Sequence, residues 1–235
     1  MRKNIGIILA GGSGRRIGGD IPKQFLTIAG RTILEYTLIT FQKHNCIDEI
    51  AIVVNPTYQD KVRDLIRINH FTKVRQLLAN GAERYHSTLS ALQAYQQEDC
   101  NLLIHDAVRP LVSARIIQEV TDNLTNFQVV NVAIPATDTI IEVDETKTFI
   151  ERIPNRSHLY QVQTPQGFYR PVLQKAYNLA LQDPDFQTTD DCGVVKKYLP
   201  EEKIKIVAGE ISNIKITWPE DLAYAESFLH SIHQG

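Results

Sequence analysis

The fold of this chain is decided by Asn4-Ile-Gly-Ile-Ile-Leu-Ala-Gly-Gly-Ser-Gly-Arg-Arg-Ile-Gly18, which is followed by Pro22-Lys23-Gln24. An apolar run of strand length leads into a glycine-rich turn that contains Arg15 and Arg16. Glycines allow the backbone to approach a bulky anion, and successive N–H groups can then cradle phosphate oxygens. The two arginines and Lys23 add positive charge that could neutralise a polyphosphate. The stretch predicts a phosphate-binding turn; the alternative is an ordinary strand-to-helix turn with solvated basic residues.

Two familiar phosphate loops do not fit this turn. A P-loop requires a lysine directly after its second glycine, but Asp20 follows Gly19. A dinucleotide fingerprint that starts at Gly12 requires a third glycine where Ile17 stands. The next helix signal is the capping box Thr32-Ile-Leu-Glu35, so a loop of about twenty residues separates strand and helix. Its length, charge and glycine content favour a loop that wraps a nucleoside triphosphate.

The composition is typical of a soluble globular protein. Of 235 residues, 43% are hydrophobic and 22% are charged, and the net charge is −2. This balance gives no reason to expect binding to nucleic acid, and no apolar run approaches the roughly 18 residues of a membrane span. The first residues carry no signal-peptide pattern. Three scattered cysteines without C-x-x-C spacing predict reduced thiols, no metal role for them and a cytoplasmic location.

The first half of the chain alternates between strand-like and helix-like segments. Short, nearly continuous apolar runs predict strands at Ile5–Leu9, Glu49–Val54, Lys73–Leu78, Leu102–His105 and Val129–Ile134. Helical periodicity lies between them at Ile33–His44, Gln59–Ile68, Tyr85–Tyr95 and Ala114–Leu124. This alternation predicts an α/β fold with a Rossmann-like, mainly parallel sheet and helices on both faces. Ligands of such sheets bind at the carboxyl ends of the strands, where the glycine-rich turn and His105-Asp-Ala-Val-Arg-Pro110 are expected.

The alternation stops after the fifth strand. Two apolar segments, Thr139–Val143 and Thr148–Ile153, flank a short polar turn and predict an inserted β-hairpin arm at about residues 137–155. Two strands alone are marginally stable in water, so the arm needs a surface on which to pack. We predict a homodimer with exchanged arms; the alternative is a hairpin that folds back on its own domain.

The rest of the chain returns to mixed elements. We predict a helix at Pro171–Gln182, a helix start at Thr188-Thr-Asp-Asp191, a strand at Lys205–Ala208 and a last helix opened by the capping box Thr217-Trp-Pro-Glu220. The sequence shows no internal repeat, low-complexity segment or linker. Residues 1–235 are therefore treated as one domain that carries the arm.

Two stretches resemble a known family. Leu9-Ala-Gly-Gly-Ser-Gly-Arg-Arg-Ile17 and Pro22-Lys-Gln-Phe-Leu26 resemble the signature of the sugar nucleotidyltransferases. The Pro-Lys-Gln form is similar to the branch that transfers CMP from CTP to a polyol phosphate, which holds the ribitol 5-phosphate and 2-C-methyl-D-erythritol 4-phosphate cytidylyltransferases. The resemblance implies a nucleotidyltransferase-type fold whose substrates are CTP and a polyol phosphate.

Cytidylyl transfer brings two anions together. A phosphate oxygen attacks the α-phosphorus of CTP in line and expels pyrophosphate, so the protein must stabilise charge on a crowded phosphorus centre. A phosphate monoester is already ionised as a nucleophile, and a general base is hardly needed. The expected groups are cationic side chains, backbone amides and a divalent cation, for which we expect Mg²⁺.

The resemblance implies roles for individual residues. The residues implied in stabilising the transition state are Arg16, Lys23 and Lys215. Those implied in nucleotide binding are Ala10, Gly11, Gly12, Gly14, Arg15, Gly81, Arg84, Ser87, Asp106 and Ala107. Asp106 is also the implied metal ligand. Those implied in binding the polyol phosphate are Arg109, Thr139, Arg156, Thr164 and Thr189.

Several of these residues have simpler interpretations when taken alone. Arg109 would pair with Asp106 within a loop, or Asp106 would cap the next turn. Arg156 would be a surface charge, and Lys215 would lie on the solvated face of an edge strand. His105 ends an apolar run and is interpreted as a structural histidine. The occurrence of all these residues in the family's order, across nearly the whole chain, favours the functional interpretation.

The predicted acceptor is D-ribitol 5-phosphate. The run Ile153-Pro-Asn-Arg-Ser-His-Leu-Tyr-Gln161 fits an I-P-x-R-x-H-x-Y-Q pattern of the ribitol branch, and Thr189-Asp-Asp-Cys192 is also more similar to that branch. Gly14-Arg-Arg16 and Ile33–Thr37 instead resemble the methylerythritol phosphate enzymes of isoprenoid biosynthesis, which form the alternative. The alternative from another class is a catalytically silent nucleotide-binding protein. The presence of Arg16, Lys23, Asp106 and Lys215 disfavours it.

Overall fold

The predicted alternation of strands and helices is present in the computed structural model, which describes residues 2–12 and 21–233. The strands are β1 (Lys3–Ala10), β2 (Thr27–Ile28), β3 (Arg31–Thr32), β4 (Glu49–Val54), β5 (Val74–Ala79), β6 (Cys100–Asp106), β7 (Val129–Pro135), β8 (Glu142–Val143), β9 (Ile150–Arg152), β10 (Tyr160–Tyr169) and β11 (Ile204–Ala208). The helices are α1 (Ile33–Lys43), α2 (Gln59–Ile68), α3 (Arg84–Ala94), α4 (Ala114–Asn123), α5 (Arg170–Ala180), α6 (Asp191–Tyr198) and α7 (Pro219–His233).

A seven-stranded sheet lies at the centre, in the order β11-β7-β10-β6-β1-β4-β5. Strands β6, β1, β4 and β5 are parallel neighbours, and β11 runs parallel to β7. Strand β10 is antiparallel to both of its neighbours, β6 and β7. The predicted α/β fold with a mainly parallel sheet is confirmed.

Apolar layers cover both faces of this sheet. Because side chains alternate along a strand, Ile8 belongs to the layer beneath α1, α2 and α4, whereas Ile7 belongs to the layer beneath α3, α5 and α6. A smaller cluster joins α7 to β2 through Leu229 and Ile28. The helices on the two faces leave the carboxyl-end edge of the parallel strands available for a site.

The helix starts test the capping signals. The predicted box at Thr32 is confirmed, because its Oγ1 accepts from the N–H of Glu35 at 3.2 Å and the Glu35 carboxylate accepts from the N–H of Thr32 at 2.7 Å. Asp190 caps α6 by accepting from Gly193 at 3.0 Å. The predicted box Thr217–Glu220 is wrong. Helix α7 begins at Pro219, and the Asp221 carboxylate accepts from the N–H groups of Thr217 and Trp218. The proline at the first helical position moves the cap from Thr217 to Trp218.

Strand β10 was not predicted from the sequence. Its centre, Gln163-Thr-Pro-Gln-Gly167, is polar and contains a proline, although the residues from 163 to 168 are buried. The proline lies where the register with β7 shifts between Gln163 and Gly167, and such irregularities tolerate a residue without an N–H. The absence of an apolar pattern therefore concealed a strand at the centre of the sheet.

The predicted arm is confirmed as a hairpin, with β8 antiparallel to β9. Its apolar side chains stay exposed: Phe149 by 71%, Ile153 by 59% and Ile150 by 58%. A hairpin folded back on its own domain would bury these side chains, so the structure disagrees with that alternative. The arm stands off the domain with an uncovered apolar surface.

The described residues contain no helix with the length and apolar character that a membrane crossing requires. All three cysteines are free thiols. Burial raises the pKa of Cys100 to about 11, so this thiol stays protonated at neutral pH.

Candidate active site

A cleft of about 570 Å³ opens at the carboxyl ends of β1, β4 and β6. This is the edge at which the sequence predicts a ligand site. Its lining contains Leu9, Gly11, Gly12, Lys23, Gln24, Asn55, Asn80, Gly81, Ala82, Glu83, Arg84, Ser87, Asp106, Val108 and Lys215. Three of these side chains, Lys23, Arg84 and Lys215, are cationic, so the cleft suits an anionic ligand.

The two predicted glycine turns meet across the cleft. The Asn80 side chain donates to the carbonyl of Gly11 at 3.3 Å and to that of Gly81 at 3.0 Å. A Cβ on Gly11 would lie 2.5 Å from the Asn80 Cβ, and one on Gly81 would lie 2.4 Å from the Cβ of His86. Only glycine fits such approaches, and the close packing holds both turns in place.

Gln24 holds the start of the first turn. Its amide Nε2 donates to the carbonyl of Ala10 at 2.6 Å and to that of Gly12 at 3.1 Å. A Cβ on Gly12 would meet nothing within 4 Å, so the turn leaves open space on this side. The other predicted residues of the turn, Gly14, Arg15 and Arg16, lie outside the described residues.

Asp106 is the electrostatic centre of the cleft. It ends β6, and its carboxylate lies 2.9 Å from Lys215 Nζ, 3.5 Å from Arg84 Nε and 3.9 Å from Arg109 Nε. Burial alone would raise the pKa of this carboxyl, but the positive charges of Arg84, Lys215 and Arg109 together hold its pKa well below the usual range. The carboxylate is therefore ionised at physiological pH.

The two predicted catalytic lysines that the structure describes both reach the cleft. Lys23 is buried and donates to the carbonyl of Ile216 at 3.1 Å. Ile216 follows Lys215, whose ammonium pairs with Asp106. The segment around residue 215 is not a strand, so the edge-strand interpretation of Lys215 is wrong. Residues almost 200 positions apart in the sequence are thus brought together at one end of the cleft.

The second turn supplies Arg84 and Ser87 from the first turns of α3. Arg84 spans two carboxylates, because its Nη1 donates to Asp191 at 2.6 Å while its Nε faces Asp106. Ser87 is buried at the cleft wall. Ala107, the residue after Asp106, is also buried, and its N–H donates to the carbonyl of Leu9 at 3.0 Å. This bond fixes the end of β6 beside the glycine turn.

Two residues predicted to bind the polyol phosphate lie beneath the cleft. Arg109 donates to the carbonyls of Asn213 at 2.7 Å and Val162 at 3.3 Å. Thr164 Oγ1 accepts from the N–H of Asp106 at 3.1 Å and lies 3.0 Å from His105 Nδ1. Both side chains are buried, so in this structure they hold the segments that carry Lys215 and Asp106.

His105 has the structural role that its sequence position indicates. It is fully buried, and its Nε2 lies 3.2 Å from the carbonyl of Arg109. Burial lowers the pKa of His105 to about 4, which keeps the ring neutral at physiological pH.

The other predicted acceptor residues, Thr139, Arg156 and Thr189, are exposed and lie outside the lining of the cleft. Arg156 donates to the carbonyl of Thr137 at 2.9 Å, at the base of the arm. Thr189 precedes Asp190, which caps α6. The structure of one chain does not bring these three side chains to Asp106.

Sequence reasoning missed Asn80, Gln24 and Asp191 as functional residues. Gln24 stood in the quoted Pro-Lys-Gln run and Asp191 in the quoted Thr-Thr-Asp-Asp run, so a signal existed for both. Asn80 directly precedes the second glycine turn, and an amide at such a position could have been read as a bridge between turns.

The residues present fit a divalent cation only together with a substrate. Within residues 2–12 and 21–233, no three His, Cys, Asp or Glu side chains form a metal-binding group. Mg²⁺ is commonly held by one or two carboxylates and substrate phosphates. Asp106, an ionised carboxylate that lines the cleft, could supply the protein ligand if a triphosphate supplied others.

The fold and the cleft define a nucleotidyltransferase: glycine turns and cations converge at the carboxyl edge of a mainly parallel sheet. A family model described as IspD, 2-C-methyl-D-erythritol 4-phosphate cytidylyltransferase, matches residues 5–231. The chain belongs to this family of CTP-using cytidylyltransferases.

Relatives of two kinds are similar to the chain. It is 48% identical over 231 residues to a bifunctional ribulose 5-phosphate reductase/CDP-ribitol pyrophosphorylase of Haemophilus influenzae, covering 97% of this chain and 48% of that protein. The chain therefore spans about half the length of this relative. It is 43% identical over 229 residues to a 2-C-methyl-D-erythritol 4-phosphate cytidylyltransferase of Thermobifida fusca, covering 95% of this chain and 92% of that protein.

The fold is shared with solved structures of the family. The 4-diphosphocytidyl-2C-methyl-D-erythritol synthase of Anaerococcus prevotii superposes with a TM-score of 0.87 at 30% identity, covering 97% of this chain and 96% of that one. A cytidylyltransferase from Francisella tularensis gives 0.76 at 26% identity, covering 96% and 99%.

Proposed function

We propose that the chain transfers CMP from CTP to D-ribitol 5-phosphate, forming CDP-ribitol and pyrophosphate. The observation that carries cytidylyl transfer is the cleft itself, where Lys23, Arg84, Lys215 and Asp106 face two glycine turns. The choice of ribitol rests on the 48% identity to a relative whose name includes CDP-ribitol pyrophosphorylase activity.

The proposed mechanism needs no general base. An ionised oxygen of the acceptor phosphate attacks the α-phosphorus, the bond to the bridging oxygen breaks, and pyrophosphate leaves with that oxygen. Lys23 and Lys215 offset the charge that gathers on the α-phosphate, because preorganised cations need no reorganisation when the charge develops. Arg16 is proposed to act beside them.

A divalent cation, for which we expect Mg²⁺, is part of this proposal. Asp106 would hold it together with the triphosphate, and the ion would neutralise phosphate charge. Chelation by EDTA should abolish turnover, and added Mg²⁺ should restore it. Full activity in a chelator would contradict this part of the proposal.

A homodimer with exchanged arms completes the proposed site. Thr139 and Arg156 lie outside their own chain's cleft, and the arm exposes apolar residues that a second copy could cover. The partner's cleft would then receive Thr139 and Arg156. The reactants of this proposed step, CTP and a sugar-alcohol phosphate, are metabolites of the cytoplasm, where we propose that the enzyme works.

One observation supports methylerythritol 4-phosphate as the second candidate acceptor. The Thermobifida fusca relative is matched over 92% of its own length, at 43% identity. Both acceptors present vicinal hydroxyls on a short phosphorylated chain, so a few hydrogen bonds in the pocket must discriminate between them.

One experiment tests the proposal. Pyrophosphate release is measured with CTP and either ribitol 5-phosphate or methylerythritol 4-phosphate at equal concentrations, with ATP and GTP as control nucleotides. A higher kcat/KM with the ribitol phosphate supports the proposal, and the reverse preference selects the alternative. Equal turnover with ATP would contradict the cytidine assignment, and no release with either acceptor would contradict polyol-phosphate transfer.

A further inference from the structure

A buried carboxylate lies directly behind the cleft. Asp191 begins α6 and is completely buried. Its Oδ2 accepts from Arg84 Nη1 at 2.6 Å, its Oδ1 accepts from the Tyr177 hydroxyl at 2.6 Å, and its N–H donates to Gln166 Oε1 at 3.2 Å. Tyr177 thus fixes the carboxylate, and Gln166 fixes the backbone that carries it.

Arg84 lies between two negative charges. One end of its guanidinium binds Asp191, and the other lies 3.5 Å from Asp106, which also pairs with Lys215 at 2.9 Å. The Arg84 side chain is 27% exposed and faces the cleft. Burial would lower the pKa of this arginine, but the charges of Asp191 and Asp106 outweigh it and raise the pKa.

The competition between the two carboxylates has a consequence for Asp106. Without the charge of Asp191, the guanidinium would be free to rotate toward the nearest remaining carboxylate. Arg84, whose Nε already lies 3.5 Å from Asp106, would then bind this carboxylate more closely in competition with Lys215, and the arginine would leave the wall of the second glycine turn. Charge-assisted bonds of this kind fix orientation as well as energy.

We infer that Asp191 is a positioning residue: it holds Arg84 against the nucleotide side of the cleft and limits how closely this arginine binds Asp106. Nothing in the sequence pattern pairs these residues, because 107 positions separate Arg84 from Asp191. The functional part of the inference rests on the proposed use of CTP. The positional part rests on the contacts alone.

The first test uses NMR on the free protein. The Nη–H resonances of Arg84, which include the Nη1 group that donates to Asp191, are assigned by their loss in Arg84→Lys, and their exchange with water is measured. Asp191→Asn should accelerate this exchange at least tenfold. Asp183→Asn is the matched control, because Asp183 also contacts α6, through Lys197 at 3.0 Å and Tyr198 at 2.6 Å, but does not contact Arg84. Unchanged exchange in Asp191→Asn would overturn the inference.

The second test measures CTP affinity by titration calorimetry. Asp191→Asn and Arg84→Ala should each weaken CTP binding roughly tenfold, and the double variant should be no weaker than Arg84→Ala, because Asp191 acts through the arginine. Independent effects that multiply to about a hundredfold would overturn the inference and indicate a general structural role.

A third variant keeps the tests decisive if Asp191→Asn does not fold. Tyr177→Phe removes one hydrogen bond to Asp191 without changing charge. It should accelerate Arg84 exchange and weaken CTP binding by a few-fold; no change in either would overturn the inference. If the wild-type protein transfers CMP to neither acceptor, the proposed function fails, but the Arg84 resonance still decides the positional claim.

Discussion

The two halves of the candidate site are built in opposite ways. In the cleft, Asp106, Lys23 and Arg84 are held by hydrogen bonds and ion pairs that connect β6, β10, α3 and the segment before α7. In the arm, Thr139 and Arg156 are exposed, and the surrounding apolar side chains remain uncovered.

One chain alone assembles the cleft residues around Asp106, but it leaves the arm residues exposed and apart from the cleft. The nucleotide half folds together with the core, so its geometry follows from the sheet. In the proposed dimer, the acceptor half depends on a surface of the second copy, because the arm leaves its apolar side chains exposed on its own domain.

The largest effect is expected at the cleft. Lys23→Ala should lower kcat by roughly 10²–10³, equivalent to about 3–4 kcal/mol, because a preorganised cation is lost where charge develops. CTP affinity should change less. Steady-state kinetics check this, with Lys203→Ala as an exposed control that should behave as wild type. A variant with normal kcat and only a raised KM would show that Lys23 merely binds the ground state.

The next effect concerns the uncovered arm. Phe149→Asp should weaken the proposed dimer at least about a hundredfold, because burying a phenylalanine contributes about 1.5–3 kcal/mol and two copies are lost. Sedimentation equilibrium measures the dissociation constant. Ile68→Asp is the control, since Ile68 is similarly exposed, at 66%, but ends α2 near the β5 edge of the sheet. A dimer equally stable in both variants would refute the arm as the interface.

Mixing inactive variants tests whether the halves belong to different chains. Under arm exchange, Lys23→Ala and Arg156→Ala subunits should together recover about a quarter of wild-type activity. Half of randomly mixed dimers contain both variants, and each of these holds one intact site. Lys23→Ala mixed with Lys215→Ala is the control and should recover nothing, because both lysines serve the same cleft. If subunit exchange is proven and no activity is recovered, Arg156 does not serve the partner's active site.

The last effect concerns stability and not activity: it is a pH dependence that arises from the buried His105 beside Asp106. The pKa of His105 is about 4 when folded and about 6.5 when unfolded. Between these values the unfolded chain binds more protons, so the free energy of unfolding should fall as pH is lowered from about 6.5 to 4, by at most about 1.4 kcal/mol per pH unit. The folded pKa of Asp106 is depressed, so the stability that this carboxylate contributes is lost only when the pH falls below about 4.

Urea unfolding at several pH values measures this slope. His105→Gln should flatten it even if the variant is less stable overall. His158→Gln, at an exposed position beyond the arm, should keep the wild-type slope. An unchanged slope in His105→Gln would assign the pH dependence to other groups.

Much of the cleft could be predicted because its parts follow local rules. Apolar runs located the parallel strands, and parallel strands end at one edge, so Gly11, Gly81 and Asp106 had to meet there. Thr32 and Asp190 marked the starts of their helices in the sequence, because a capping contact joins residues only three positions apart.

The remainder depends on contacts that no local pattern encodes. Strand β10 is polar because its side chains serve a buried network: Gln163 donates to the carbonyl of Glu210 at 2.8 Å and Asn213 donates to the Thr164 carbonyl at 2.9 Å. The bond between Arg84 and Asp191 links distant segments through a single contact. The predicted acceptor roles of Arg109 and Thr164 remain predictions, and their burial limits them to positions beneath the cleft.

The placement of β10 also constrains how the chain can fold as it is synthesised. Strand β6 pairs with β1 on one side, but its other neighbour is β10, about sixty residues later. Until Tyr169 has emerged from the ribosome, one edge of β6 is unpaired, although every residue of this strand is buried in the folded protein. Open apolar edges invite pairing with other chains. We therefore expect a chain truncated before residue 160 and released from the ribosome to associate with chaperones more strongly than one truncated after residue 170 and released in the same way.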